Sequence, residues 1–546
     1  MNHTAKTLVI AMVFMVFQPA AVRGQDIGIW SRFEKEFTSS KDYTNPMYDL
    51  KFNIRFISPT GKIKSIQAFW DGERSWKVRF MPDEKGTWKW NSECSDKTNN
   101  SLNGQTGSFK CTPNNSNLQI YQKGSVTKKP GRYYLEHADG SPFFWTACTA
   151  WNGTLKSTDE EWKYYLNHRV KNNYTVIQFV TTQWRGGDNN SLGQVAFEGS
   201  GVININPGFF QHLDKKIDEI NRVGLVAAPV LLWALPTFTG RYLSPGYYLP
   251  EAEAILLAKY MVARYGAHHV VWILGGDGRY TEDYEHRWKN IGRGVFAGEH
   301  PGVVALHPTG KSWLGDVYAQ EDWLDIVGYQ TGHNNTDGTR SWITQGPVSS
   351  RWDKIPPKVL INMEPVYEQI RPEITASDIR NASYWSILSA PTSGITYGAN
   401  GIWPWLRHGE EILNHAGKGE DASRWKESLD LPGSVQVGYL SAFFQRIEWW
   451  KLRPAPGLLL QQPGDSVIRE FISISQTDDQ KTIVAYLPSA REISIYNPWD
   501  NKYEGEWFDP AGNKTFKASL TNESGILMVA RPSGKNDHVL ILQKTK

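Results

Sequence analysis

Val270-Val271-Trp272-Ile273-Leu274-Gly275-Gly276-Asp277-Gly278 is an apolar run of strand length that halts on two glycines and an acid. A run with no polar alternation fits a strand covered on both faces, as in a parallel sheet wrapped by helices. Seven further runs of the same kind lie around it, at residues 143–149, 174–182, 225–233, 303–307, 325–330, 358–363 and 395–403. Amphipathic stretches separate them, at 158–171, 209–223, 251–265 and 377–388, the last two opening with acids or a capping Ser377. Eight β/α units in succession predict an α/β fold, a closed (β/α)₈ TIM barrel.

Outward from this centre the pattern changes at both ends. Residues 30–112 alternate short apolar and polar runs with turn residues, as in Phe52-Asn53-Ile54-Arg55-Phe56-Ile57 followed by Ser58-Pro59-Thr60-Gly61, which predicts a small β-sandwich. Residues 114–117 have the composition of a linker, and Asp139-Gly140 that of a hairpin turn. Beyond Leu431-Pro432-Gly433 and one more helical stretch at 435–449, strand patterns return at 481–487, 492–496 and 539–542. The expected division is a signal peptide at 1–24, a β-sandwich at 25–115, the barrel at 116–450 and a second β-sandwich at 451–546.

The signal peptide is read from Lys6, the apolar run at 8–17 and the small residues ending at Val22 and Gly24. That run is too short to span a bilayer. The expectation is therefore an exported chain, periplasmic or extracellular, without membrane insertion. Fifty-nine Lys and Arg against 56 Asp and Glu leave a formal charge of +3, too weak a field to argue for a nucleic-acid partner. The 24 Trp, 24 Tyr and 22 Phe suit a core and also a surface that holds partly apolar ligands such as sugars. With three cysteines, a single Cys94–Cys111 bridge is allowed and Cys148 stays free. There is no zinc spacing around His268-His269, no phosphate loop and no nucleophile elbow, so no metal or cofactor is expected.

In a barrel of this kind reactive groups stand at the C-terminal strand ends. The fourth run ends on Asp277, and the seventh ends Ile361-Asn362-Met363-Glu364-Pro365. Two carboxylates at one mouth are what glycosidic hydrolysis needs, one as a protonated acid and one ionised. His307, Gln330 and His333 end neighbouring strands, where they are placed to bind sugar hydroxyls or to brace the acids. Trp151, Trp233 and Trp403 are the rings expected to carry a sugar face.

These motifs carry a resemblance. Thr149-Ala150-Trp151, Gly275-Gly276-Asp277, His307-Pro308, Gln330-Thr331-Gly332-His333, Asn362-Met363-Glu364-Pro365 with Tyr367-Glu368, and Tyr397-Gly398-Ala399 with Ile402-Trp403 together resemble the apiosidase-like glycoside hydrolases. The resemblance implies that Asp277 is the acid/base and Glu364 the nucleophile of a retaining glycosidase acting on a complex polysaccharide. It brings Tyr367 into the substrate-binding set. Many related barrels carry Asn-Glu where this chain has Gly276-Asp277, and an acid where it has Cys148. Inversion, which needs a wider carboxylate separation, is the mechanistic alternative. The stretch at 68–88 resembles the sandwich domain that precedes some carbohydrate-active barrels. The C-terminal domain resembles modules of the collagen-binding type, which makes a non-catalytic carbohydrate- or collagen-binding protein the functional alternative.

Overall fold

The computed structural model describes residues 26–236, 243–298, 300–415, 421–498 and 501–545. The expected signal peptide lies outside them. Eight parallel strands close into a barrel: β1 (Trp145–Thr149), β2 (Val176–Val180), β3 (Val226–Trp233), β4 (Val271–Gly276), β5 (Val303–Leu306), β6 (Ile326–Gln330), β7 (Val359–Glu364) and β8 (Thr392–Tyr397). Every residue of these strands is buried, because helices cover one face and the packed interior covers the other. The main covering helices are α1 (Asp159–Lys171), α2 (Pro207–Arg222), α3 (Glu251–Tyr265), α4 (Glu285–Phe296), α5 (Asp337–Gln345), α6 (Ala376–Leu388) and α7 (Pro432–Gln445).

Local chemistry sets the helix starts. Thr158 and Glu161 form a reciprocal capping box at α1, whose buried Trp162, Tyr165, Leu166 and Arg169 recur at helical spacing on one face. At α6 the capping residue is Thr375, paired with Asp378, rather than the expected Ser377. The eighth strand also departs from expectation. It begins at Thr392 and ends at Tyr397, whereas Ile402 and Trp403 sit in tight turns beyond it. Its first residues, Thr392-Ser393-Gly394, carry no apolar signal because they pack tightly. A Cβ on Gly394 would lie 1.9 Å from the Trp145 carbonyl oxygen.

On the N-terminal side a five-stranded sheet in the order Asp26–Gly28, Thr106–Thr112, Gly86–Cys94, Phe52–Ile57, Ile63–Gln67 faces a three-stranded one. Stacked and edge-on rings of Phe33, Phe56, Phe80 and Phe109 fill the space between them. The Cys94–Cys111 bridge does not form, and all three cysteines are free thiols. The register gives the reason: Cys111 lies opposite Gly86, while Cys94 stands at the far end of that strand opposite Phe52. Such a separation, roughly 25 Å along a strand, is far beyond disulfide reach. At the C-terminal end a six-stranded and a three-stranded sheet pack together around Trp507, Leu540 and Leu542.

The N-terminal sandwich is fastened to α2 and α3 by a buried charge cluster. Arg79 and Arg264 both reach Asp214 at 2.7 Å, and Arg264 also reaches Asp71 at 2.7 Å. Both guanidiniums lie near the Phe69 ring, at 5.1 and 4.7 Å from its centroid. Burial alone would raise the Asp214 carboxyl, but the two arginines outweigh it and hold it well below the usual carboxylate range. His268 and His269 serve the same junction: Nε2 of His268 lies 2.8 Å from Asp218, and Nε2 of His269 lies 3.0 Å from the Trp30 carbonyl. Removing one member of such a cluster strands the opposite charge. Asp214→Asn is expected to destabilise the protein by about 3 kcal/mol or more, read as a lower midpoint of thermal unfolding.

Candidate active site

The two acids singled out by the sequence meet at the C-terminal mouth. Asp277 follows β4 directly and has φ of +49°, a left-handed backbone that Asp tolerates better than most residues. The glycines beside it are required by crowding. A Cβ on Gly275 would lie 2.6 Å from the Tyr280 hydroxyl, and one on Gly276 2.8 Å from the Trp233 ring. In this turn the Asp277 amide donates to His307 Nδ1 at 3.1 Å, while Gln330 Nε2 donates to Asp277 Oδ1 at 2.8 Å. The Gln330 amide is itself fixed by a second bond, to the Pro308 carbonyl at 2.8 Å.

Glu364 is the last residue of β7 and is 6 % exposed. A register irregularity beside it makes Tyr329 pair with Asn362 and Gln330 with Glu364, so one extra residue swings the carboxylate to the mouth. Below, the Gln178 amide donates to the Met363 carbonyl at 3.1 Å and accepts from Thr396 at 2.6 Å, which anchors the end of the strand from inside the barrel. His307 Nε2 stands 2.9 Å from Glu364 Oε2, and His333 Nε2 stands 3.0 Å from Oε1. Because His307 Nδ1 accepts from the Asp277 amide, its proton is on Nε2, facing Glu364. Nε2 and Oε2 are close but poorly aligned, and neither has a well-directed partner, as is common in unliganded sites.

These surroundings drive the acids apart electrostatically. Asp277 keeps some contact with solvent as a residue, but its carboxyl is enclosed, and burial followed by the Glu364 charge pushes it up to about 7. For Glu364 burial acts upward too, yet the facing His307 and His333 outweigh it and hold the carboxyl below the usual range. Near neutral pH one acid is poised to hold its proton while the other has lost it. Such a division of labour is the hallmark of acid/base sites built from two carboxyls.

The expected aromatic residues surround this pair. The Trp151 indole donates to the Tyr367 hydroxyl at 2.8 Å, and the Tyr367 ring lies 4.3 Å from His333. Trp233 packs against Trp151 at 5.9 Å and against Trp184 at 4.3 Å, and Trp184 reaches Trp403 at 6.1 Å. Trp151, Trp233 and Trp403 are 2, 4 and 6 % exposed, so these rings cover mainly one another and leave little open face. Gly398 gives Tyr367 its place, since a Cβ there would lie 2.1 Å from the ring. Gly398→Ala is expected to displace Tyr367 and lower ligand affinity or turnover about tenfold or more at unchanged secondary structure, checked by kinetics beside circular dichroism.

Three residues without any sequence signal complete the site. Asn152 accepts from the Trp184 indole at 2.6 Å and donates to the carbonyls of Gly186 and Pro404, while its own amide donates to the Trp403 carbonyl at 3.0 Å. It thereby ties together the loops after β1, β2 and β8. Trp184 and Arg185 come from the loop after β2. Among the described residues no group of three or more His, Cys, Asp or Glu side chains is arranged to hold a metal ion. No helix among them is long and apolar enough to cross a membrane.

A closed parallel barrel with an acid after its fourth strand and another ending its seventh supports a glycoside hydrolase. The chain belongs to the apiosidase-like family: the model of that family's catalytic domain matches residues 129–451, and residues 26–95 match a domain of unknown function, DUF5060. Among solved structures, a glycoside hydrolase family 5 protein of Bacteroides vulgatus ATCC 8482 is 23% identical, with a TM-score of 0.67 over 78% of this chain and 94% of that one. A second protein from the same organism, itself assigned to the glycoside hydrolases only provisionally, is 17% identical, with a TM-score of 0.68 over 95% of this chain and 100% of its own. At such identities the likeness is one of fold. No curated protein matches.

Proposed function

We propose that this chain is an exported glycosidase that cleaves O-glycosidic bonds of a complex polysaccharide or its oligosaccharides by a two-carboxylate, retaining mechanism. The observation that carries the reading is the placement of Asp277 and Glu364 at one mouth, with Gln330 on the first acid and His307 and His333 facing the second, surroundings that raise one carboxyl and lower the other. Asp277 donates its proton to the leaving glycosidic oxygen as Glu364 attacks the anomeric carbon. The resulting Asp277 carboxylate then takes a proton from water, which displaces Glu364. His307 and His333 stand against the two Glu364 oxygens and favour the ionised carboxylate, while Gln330 fixes Asp277 Oδ1, which reduces the reorientation these groups need during reaction. Tyr367, beside His333, borders the sugar, and Trp151, Trp233 and Trp403, largely covered by one another, form the wall behind it. The family description makes apiose-bearing glycans the first substrates to try, and residues 1–24 are proposed to route the chain to the periplasm or beyond.

The test is reducing-sugar release from a panel of plant and algal polysaccharides, with NMR of the first-formed anomer on any glycan that is cleaved. Release with retained anomeric configuration supports the whole reading. Inverted product keeps the hydrolase and makes Glu364 the activator of water. Tight binding to a glycan with no release overturns the hydrolase.

A further inference from the structure

Arg185 stands on a firmly anchored stretch of backbone, yet its side chain has no partner among the described residues. Trp184 and Gly187 exchange both backbone bonds, at 2.9 and 3.0 Å, so that Arg185 and Gly186 form the tip of a tight two-residue turn. Each tip carbonyl is anchored from another loop: that of Gly186 by Asn152, and that of Arg185 by Asn414 Nδ2 at 2.7 Å. The preceding Trp184 ring is pinned to Asn152 and packed on Trp233, whose ring touches the position of a Gly276 Cβ. The turn is thus linked, through the Trp233 ring, to the residue next to Asp277.

The guanidinium at this tip has no carboxylate within ion-pair distance among the described residues, and its Nε is buried with no hydrogen-bond partner. Arg79, Arg264 and Arg380, also enclosed, each meet carboxylates at 2.7 Å. Partial burial holds the Arg185 pKa below its ordinary value, and the one charge opposing that effect is Asp277. When Asp277 holds its proton that charge is gone. A half-buried cation within electrostatic reach of the site is then left without compensation, which is costly unless an incoming group supplies the counter-charge.

We propose that Arg185 is a substrate-binding residue that recognises an oxyanion on the sugar, a uronate carboxylate or a sulfate ester, through Nε and its neighbouring Nη. The planar guanidinium edge offers two parallel donors that match either oxyanion. The proposal rests on the glycosidase reading for its location and sharpens that reading to acidic glycans.

The experiment uses matched pairs of cleaved glycans: a uronate-containing glycan and its carboxyl-reduced form, and a sulfated glycan and its desulfated form. The intact protein is compared with Arg185→Gln and Arg185→Lys. The intact protein should prefer the anionic member of one pair by about tenfold to a hundredfold in kcat/KM, chiefly through KM. Arg185→Gln should erase that preference and Arg185→Lys should restore part of it. The pair that responds identifies the anion. An equal rate on both members of each pair, or a preference that survives Arg185→Gln, overturns the proposal and leaves the glycosidase intact. Calorimetric titration of galacturonate, glucuronate and galactose 6-sulfate beside their neutral hexoses reads the same site without turnover. Anion-selective binding that is lost in Arg185→Gln upholds it even if no glycan is cleaved, in which case the hydrolase reading alone has failed. No anion-selective binding, together with no Arg185-dependent anion preference in cleavage, overturns it.

Discussion

Glu364→Gln should lower kcat on any cleaved glycan by on the order of a thousandfold or more, without loss of fold. The substitution conserves volume, and the amide oxygen can still accept from one of the two imidazoles that now stand 2.9 and 3.0 Å from the carboxylate. What disappears is the anion, and with it the only group at the end of β7 able to attack a carbon or deprotonate water. Steady-state kinetics on the released sugar, with circular dichroism as a control for folding, measure the loss. Residual activity above about a tenth of the original would remove Glu364 from the chemistry. The same variant has a second signature. The Glu364 charge is one cause of the raised Asp277 value, after burial, so Asp277 should titrate lower in Glu364→Gln, as NMR of labelled aspartate carboxyls would report.

The second large effect is the pH profile. Activity should fall as pH rises through about 7, the value to which Asp277 is pushed, because the acid must hold its proton to assist departure of the leaving oxygen. Glu364, held below the usual carboxylate range, leaves the acidic limb far to the other side. The two limbs belong to the interacting pair rather than to either residue alone. Asp277→Asn should abolish the alkaline limb and cost about 10² to 10⁴ on natural glycosides, but far less on aryl glycosides whose leaving group needs no proton. A limb that persists in Asp277→Asn would assign it elsewhere. Stability carries the opposite sign from that of a salt-bridged aspartate such as Asp214, whose carboxyl is held low. Between the usual 3.8 and about 7 the folded protein keeps a proton that the unfolded chain has released, so Asp277's contribution to stability declines as pH rises through that window.

How much of this was legible in the sequence depends on where the information is stored. The barrel strands were readable because burial on both faces leaves uninterrupted apolar runs, and Asp277 and Glu364 because each ends such a run. The start of β8 was not, because Thr392, Ser393 and Gly394 are chosen for small size against Trp145 rather than for hydrophobicity. Cys94 and Cys111 looked like a pair by proximity in sequence, and only the strand register separates them. Asn152 and Arg185 were silent for a different reason. Their roles rest on loops that converge from three places in the chain, and neither periodicity nor spacing records such convergence. His307 gave its position but not its place between the Asp277 turn, which bonds to it, and the Glu364 carboxylate, which it faces; that needs the three-dimensional approach of β4, β5 and β7.

The knot around Asn152 has a practical consequence for redesign. Loops at a barrel mouth are commonly treated as interchangeable parts, each replaceable without regard to its neighbours. Here one amide side chain serves Trp184 and Gly186 after β2 and Pro404 after β8, while its backbone serves Trp403. Transplanting any one of these loops alone would leave buried donors and acceptors unmatched in the other two. The heritable unit of specificity is therefore the trio, and recombination between relatives should yield working chimaeras only when the crossover points keep all three loops from the same parent.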